Sequence, residues 1–163
     1  MAINYAARGR APNQRPAQQL LRDAGLRVTA PRVAVLQWLA EHPHSTADQV
    51  GLGVRQRIGS VSTQAVYDVL SACTGIGLVR RIEPAGHPAR FERRTGDNHH
   101  HLVCRSCGRT EDVDCVVGAR PCLKPNDARG FAVDEAELVF WGLCPACRNG
   151  STGHQHHNEE ARP

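Results

Sequence analysis

Residues 62–94 read STQAVYDVLSACTGIGLVRRIEPAGHPARFERR, and this stretch decides the fold. Val66, Val69, Leu70 and Cys73 recur at the three- and four-residue spacing of a buried helix face. Ser62 or Thr63 supplies the oxygen that caps such a helix, and Gly75-Ile76-Gly77 stops it. Two strand-like runs follow, 78–83 and 89–94, separated by the hairpin-forming Pro84-Ala85-Gly86-His87-Pro88. A helix leading straight into a two-stranded ribbon predicts the end of a winged helix-turn-helix, with the helix capped by Ser62 or Thr63 as its recognition helix.

The residues upstream supply the rest of that unit. A short helix is expected over 18–24, ended by Gly25. Thr29 precedes Pro31, well placed in a first helical turn, and Val33, Leu36, Leu39 and Ala40 carry that helix to about residue 42. Ser45, with Asp48 three residues on, is expected to cap a third helix that Ala47, Val50 and Val54 carry to about residue 58.

On the recognition helix, Gln64, Tyr67, Asp68 and Ser71 face solvent. Glutamine reads adenine with two hydrogen bonds, and a tyrosine ring packs on a thymine methyl. Arg80, Arg81, Arg90, Arg93 and Arg94 of the ribbon suit phosphates or a narrow minor groove, and Arg27 and Arg32 suit the DNA backbone. Asp68 opposes phosphate, so pairing with a neighbouring arginine is expected for it.

Charge divides the chain at the same place. Residues 1–96 carry 13 Arg/Lys against 6 Asp/Glu, whereas 97–163 carry 7 against 10. A basic front half and an acidic, ligand-rich back half predict a polyanion binder joined to a metal module. No run of about 18 apolar residues is present, which excludes a membrane-spanning helix. Residues 1–16 have three arginines and no apolar core, so they do not read as a secretory signal, and the expected compartment is the cytoplasm.

Four of the seven cysteines form two pairs, Cys104-Arg105-Ser106-Cys107 and Cys144-Pro145-Ala146-Cys147. Each pair aims two thiolates at one point, and an odd cysteine count without a signal favours metal over a disulfide framework. Two such turns complete a tetrahedral sulfur site suited to structural Zn2+. His99-His100-His101 immediately precedes the first pair. Strands are expected over 102–104, 111–114 and 136–141, while Pro121 and Pro125 allow only a short helix between 115 and 127. The expected organisation is a disordered basic arm (1–17), a winged-helix DNA-binding domain (18–95), a hinge (96–98), a metal-binding dimerisation domain (99–149) and a disordered tail (150–163).

The chain resembles the ferric uptake regulator family of metal-dependent repressors. The resemblance rests on 24–32 (AGLRVTAPR), 64–70 (QAVYDVL), 77–79 (GLV), 99–108 (HHHLVCRSCG) and 141–147 (WGLCPAC), in the family's order. It implies an α+β fold: an N-terminal winged helix-turn-helix, then a small α/β dimerisation domain with a four-cysteine zinc site. It implies a homodimer on double-stranded DNA carrying an A/T-rich palindromic operator. The family's structural zinc maps onto Cys104, Cys107, Cys144 and Cys147. Its regulatory site maps onto His44, Glu92, His99, His101 and Asp112, nitrogen and oxygen donors suited to Fe2+ or Mn2+, with Zn2+ able to substitute.

At position 112, iron-responsive members commonly have Glu and the peroxide-responsive branch Asp. The resemblance therefore implies a repressor of peroxide defence, such as a catalase-peroxidase gene, and of its own gene. In that branch Fe2+ and hydrogen peroxide oxidise a ligand histidine, here His44 or His99, and repression is lifted. Two alternatives stand beside it: an iron-dependent repressor of iron uptake, and a thiol-based redox repressor using Cys115 and Cys122. The chain departs from the family at Asp68, where many members have Arg, and at Asn98 and Ala136, where a third ligand set has histidines; that additional site is expected to be absent or altered. Neither HExxH nor a deaminase pattern is present, so an enzyme is not expected. A zinc-ribbon interaction module would leave the basic helical half unexplained.

Overall fold

The structure, a computed structural model, describes residues 15–93, 95, 99–114, 123–133 and 136–150. The chain divides into two compact units, Met1–Asp97 and Asn98–Pro163. Most of the expected arm, the hinge residues 96–98, Arg94, Cys115, Cys122 and the tail from 151 onward lie outside the described residues.

The first unit is built on α1 (Ala17–Asp23), α2 (Ala30–Glu41), α3 (Ala47–Ile58) and α4 (Thr63–Gly75). Pro31 occupies the first turn of α2, where its missing N–H costs nothing. Val35, Leu36 and Leu39 of α2 pack against Val50 and Val54 of α3 and Val66 and Leu70 of α4 in one core. At Gly53 the helices come so close that a Cβ would lie 2.1 Å from the Trp38 ring. Trp38 is therefore pressed on bare backbone.

The cap of α3 differs from expectation by one residue. Thr46, not Ser45, is the N-cap: its hydroxyl accepts from Gln49 N–H, and Gln49 Oε1 accepts from Thr46 N–H at 2.8 Å. Ser45 instead enters a two-residue strand, β1 (Ser45–Thr46), opposite Phe91. On α4 the Ser62 hydroxyl accepts from Ala65 N–H, as the pattern required.

The ribbon consists of β2 (Arg80–Ile82) and β3 (Arg90–Glu92), shorter than the expected runs. Its tip is a tight turn in which His87 N–H donates to Pro84 C=O at 3.0 Å, with Gly86 at φ +78 as such a turn requires. The sheet order is β1-β3-β2, antiparallel throughout, so β3 is central.

The second unit holds β4 (His99–Cys104), β5 (Thr110–Asp114), β6 (Val139–Gly142) and α5 (Pro145–Arg148). The order is β5-β4-β6, with β4–β5 antiparallel and β4–β6 parallel. Among its described residues the buried hydrophobics are Val103 and Cys104.

Candidate metal centres and nucleic-acid face

The first cysteine pair sits where β4 ends. Gly108, at φ +68, lets the chain fold back so that its N–H donates to Cys104 C=O at 2.9 Å. The second pair is set by α5: Cys144 is its N-cap, Pro145 opens its first turn, and Arg148 N–H donates to Cys144 C=O. Because β6 runs beside β4, Cys144 N–H reaches Cys104 Sγ at 3.4 Å. All four Sγ atoms lie within 4.8 Å of one another, and Cys107 Sγ is 3.8 Å from Cys144 Sγ. A tetrahedron with Zn–S bonds of ~2.3 Å has edges of ~3.8 Å, so the donor set fits zinc.

Thiol acidity is divided unequally. Burial pushes the Cys104 thiol up, but donation from the backbone N–H groups of Cys144, Cys107 and Ser106 outweighs this and brings it down to about 6. At Cys107 the Arg109 N–H pulls down, while burial and the neighbouring sulfurs push it up to about 11. One thiolate is ready for a metal; another releases its proton on binding.

The same unit carries a second donor group. His99 and His101 share a face of β4, with ring centroids 5.1 Å apart, and β5 sets Asp112 directly opposite His101. Asp112 Oδ1 is 3.9 Å from His99 Nε2 and 3.8 Å from His101 Nε2. These spans exceed a hydrogen bond and suit two ligands each ~2.0–2.2 Å from one ion. His100 is opposite Val113, on the other face of the strand. Glu137 was not foreseen: its Oε1 is 3.6 Å from His101 Nδ1, an ion-pair distance beyond a hydrogen bond. Its only sequence signal is a carboxylate two residues before β6.

In the first unit, His44 Nε2 is 3.0 Å from Glu92 Oε2. Glu92 is fully buried at the end of β3, where a carboxylate needs a cation or a donor. Arg80 Nε lies 3.9 Å from its other oxygen.

On the recognition face Tyr67 and Ser71 are exposed, and Gln64 Nε2 donates to Asp68 Oδ1 at 2.7 Å. The partner of Asp68 is thus Gln64, four residues earlier on one helix face, rather than the expected arginine. Arg81 is exposed and pairs with Glu83 at 2.5 Å; Arg80 is half-buried. Arg32 donates to Arg27 C=O at 2.8 Å, and Arg27 is exposed. Two ribbon arginines hold backbone carbonyls. Arg93 is buried and donates to the carbonyls of Leu36 and Arg15, and burial lowers its pKa. Arg90 donates to His44 C=O at 2.9 Å. Their carbonyl partners come from distant segments, which no local pattern shows. Among the described residues no helix is long and apolar enough to cross a membrane.

Comparison with known proteins gives a consistent picture. The sequence profile of the ferric uptake regulator family matches residues 23–140. The transcriptional regulator FurA of Mycobacterium tuberculosis (strain ATCC 25618 / H37Rv) is 56% identical over 136 residues, 83% of this chain and 92% of that protein. The peroxide-responsive repressor PerR of Staphylococcus epidermidis is 27% identical over 129 residues, 78% of this chain and 85% of that protein. The solved structure of the ferric uptake regulator from Pseudomonas aeruginosa with manganese matches with a TM-score of 0.60 and 31% identity, covering 79% of this chain and 98% of that one.

Proposed function

This chain belongs to the ferric uptake regulator family of transcriptional regulators, and from that membership we propose that it represses transcription as a homodimer on an A/T-rich palindrome, switched by metal and released by peroxide. Cys104, Cys107, Cys144 and Cys147 hold a structural Zn2+. One regulatory ion, Fe2+ or Mn2+, takes His44 and Glu92 from the winged-helix unit and His99, His101 and Asp112 from the other. Binding across the two units fixes their relation, and by linkage DNA tightens metal binding in return. Gln64, Tyr67 and Ser71 read bases, while Arg27, Arg32, Arg80 and Arg81 hold phosphates.

The observation that carries this reading is the approach of Asp112 to both His99 and His101. An all-nitrogen-and-oxygen donor set beside an all-sulfur one separates a reversible site from a closed one. The manganese in the Pseudomonas aeruginosa relative supports the choice of ion class.

The peroxide signal rests on Asp112, the residue the peroxide-responsive branch has at this position. Fe2+ held there would supply redox chemistry toward hydrogen peroxide. The chain contributes His44 and His99 as the oxidisable imidazoles; an oxygenated ring is a poorer donor, and the two units are uncoupled. The 56% identity to a regulator named FurA favours a second reading, an iron-dependent repressor of iron uptake. Mass spectrometry of the Fe2+-loaded protein after peroxide separates them. Added oxygen on His44 or His99 is expected, and its absence with intact metal-dependent DNA binding would leave the iron reading.

A further inference from the structure

Gln64 and Asp68 stand one helical turn apart on α4, both exposed, and Gln64 Nε2 donates to Asp68 Oδ1 at 2.7 Å. The chemistry of this pair is one-sided. A carboxylate has acceptors only, so of the two ends of the Gln64 amide it is the NH2 that can face it. The contact therefore decides which way round the amide lies. It also occupies one of the two N–H donors. What Gln64 keeps for a partner in front of the helix is one N–H and the acceptor Oε1. In the major groove adenine presents an acceptor, N7, beside a donor, N6–H2, whereas guanine presents two acceptors, N7 and O6. One donor with one acceptor complements adenine. An untethered glutamine can turn its NH2 towards guanine with both hydrogens available. With one of them held by Asp68, guanine O6 meets the lone pairs of Oε1 instead of a donor.

We propose that Asp68 is a positioning residue for base recognition: by holding one N–H of Gln64 it restricts that side chain to adenine and turns it against guanine. This rests on the reading of Gln64 as a base contact. The negative charge of Asp68 has a separate effect, because it repels phosphate and lowers affinity for every sequence alike. Charge and specificity can therefore be told apart. Removing the carboxylate should raise affinity for all sequences while narrowing the gap between adenine and guanine.

The test uses the zinc-containing full chain with excess Mn2+ and a randomised double-stranded DNA library, the bound fraction being sequenced. Gln64→Ala identifies the base pair that Gln64 contacts, as the position where the adenine preference collapses. There the wild type should favour adenine over guanine by about 5- to 150-fold, the worth of a good bidentate pair. Asp68→Ala, which removes the acceptor, should lower that ratio by about fivefold or more. Asp68→Asn, whose amide can offer either end to Gln64, should lower it as well. Asp68→Glu keeps an acceptor-only group and should restore it. A contact that serves the helix alone would leave the ratio unmoved. An unchanged adenine-to-guanine ratio in Asp68→Ala and Asp68→Asn therefore overturns the proposal, even where overall affinity rises. A further change of specificity on adding Asp68→Ala to Gln64→Ala also overturns it, since Asp68 then reads a base itself. If Gln64→Ala alters no position, the base-reading assignment fails and the role of Asp68 falls with it.

Discussion

Replacing Gly53 with alanine isolates the packing that supports His44. Alanine in the middle of α3 would by itself stabilise the helix by ~1 kcal/mol. Here its Cβ would lie 2.1 Å from Trp38 Cε3 and Cζ3, against ordinary carbon contacts of ~3.5–4.0 Å. The ring must therefore move by about 1.5 Å or the helices must part, and overpacking of this kind costs ~1–3 kcal/mol. Moving the ring also breaks the Trp38 Nε1 donation to Ser45 Oγ, worth ~0.5–1.5 kcal/mol, and the contact of Arg57 over the indole, worth ~0.5–1 kcal/mol. The net expectation is a loss of about 1–4 kcal/mol. For a unit of this size each kcal/mol lowers the melting temperature by ~4–8 °C. Calorimetry of the zinc-containing protein measures it, and Trp38→Leu in the same chain should remove most of the penalty. A G53A protein as stable as the wild type would refute the reasoning, because helix propensity would then outweigh the contact.

Other outcomes follow from the sites. In the zinc-free, reduced protein, thiolate ultraviolet absorbance should appear for Cys104 as pH rises through about 6 and for Cys107 only toward about 11. The depressed Cys104 contributes stability that is present above its unfolded value of 9.0 and lost as pH falls through about 6. The raised Cys107 contributes stability present below 9.0 and lost as pH rises through about 11. Urea midpoints of the zinc-free second unit in the full chain should therefore peak near pH 9; a flat profile contradicts the assignment. Cys73 is fully buried and burial pushes its thiol up, so it should resist alkylation in the native protein and react only on unfolding. Asp112→Glu should retain Mn2+ binding while suppressing oxygen addition to His44 and His99; undiminished oxidation would detach the peroxide response from that residue.

What could be read in advance depended on whether the signal was local. The buried stripe of α4 and its Ser62 cap lie within a dozen consecutive residues, and both appear where periodicity placed them. The alternation that sets His99 and His101 on one face is a property of any strand. Their meeting with Asp112 depends on the β4–β5 register, which the turn through Cys107 and Gly108 fixes. Non-local features were hidden. A two-residue strand such as β1 has no period, so Ser45 read as a cap although Thr46 with Gln49 makes the better box. The parallel pairing of β6 with β4 crosses more than thirty residues and leaves no trace in either strand's sequence. Arg90 and Arg93 count as two more cations in any tally, yet their guanidinium groups grip carbonyls of distant segments. The arginine cluster pointed to a basic unit and gave no sign of the carbonyls these two members hold.

The central claim is that metal at the mixed histidine and carboxylate donors controls DNA binding, separately from the cysteine site. Fluorescence anisotropy with DNA from upstream of the protein's own gene tests it, using zinc-containing protein with and without Mn2+. A coupling of 5- to 150-fold, about 1–3 kcal/mol, is the range expected for such a switch. The account predicts that Mn2+ tightens binding by the wild type within that range and leaves His101→Ala unaffected, with zinc content equal in both. Equal affinity of the wild type with and without Mn2+ would contradict it.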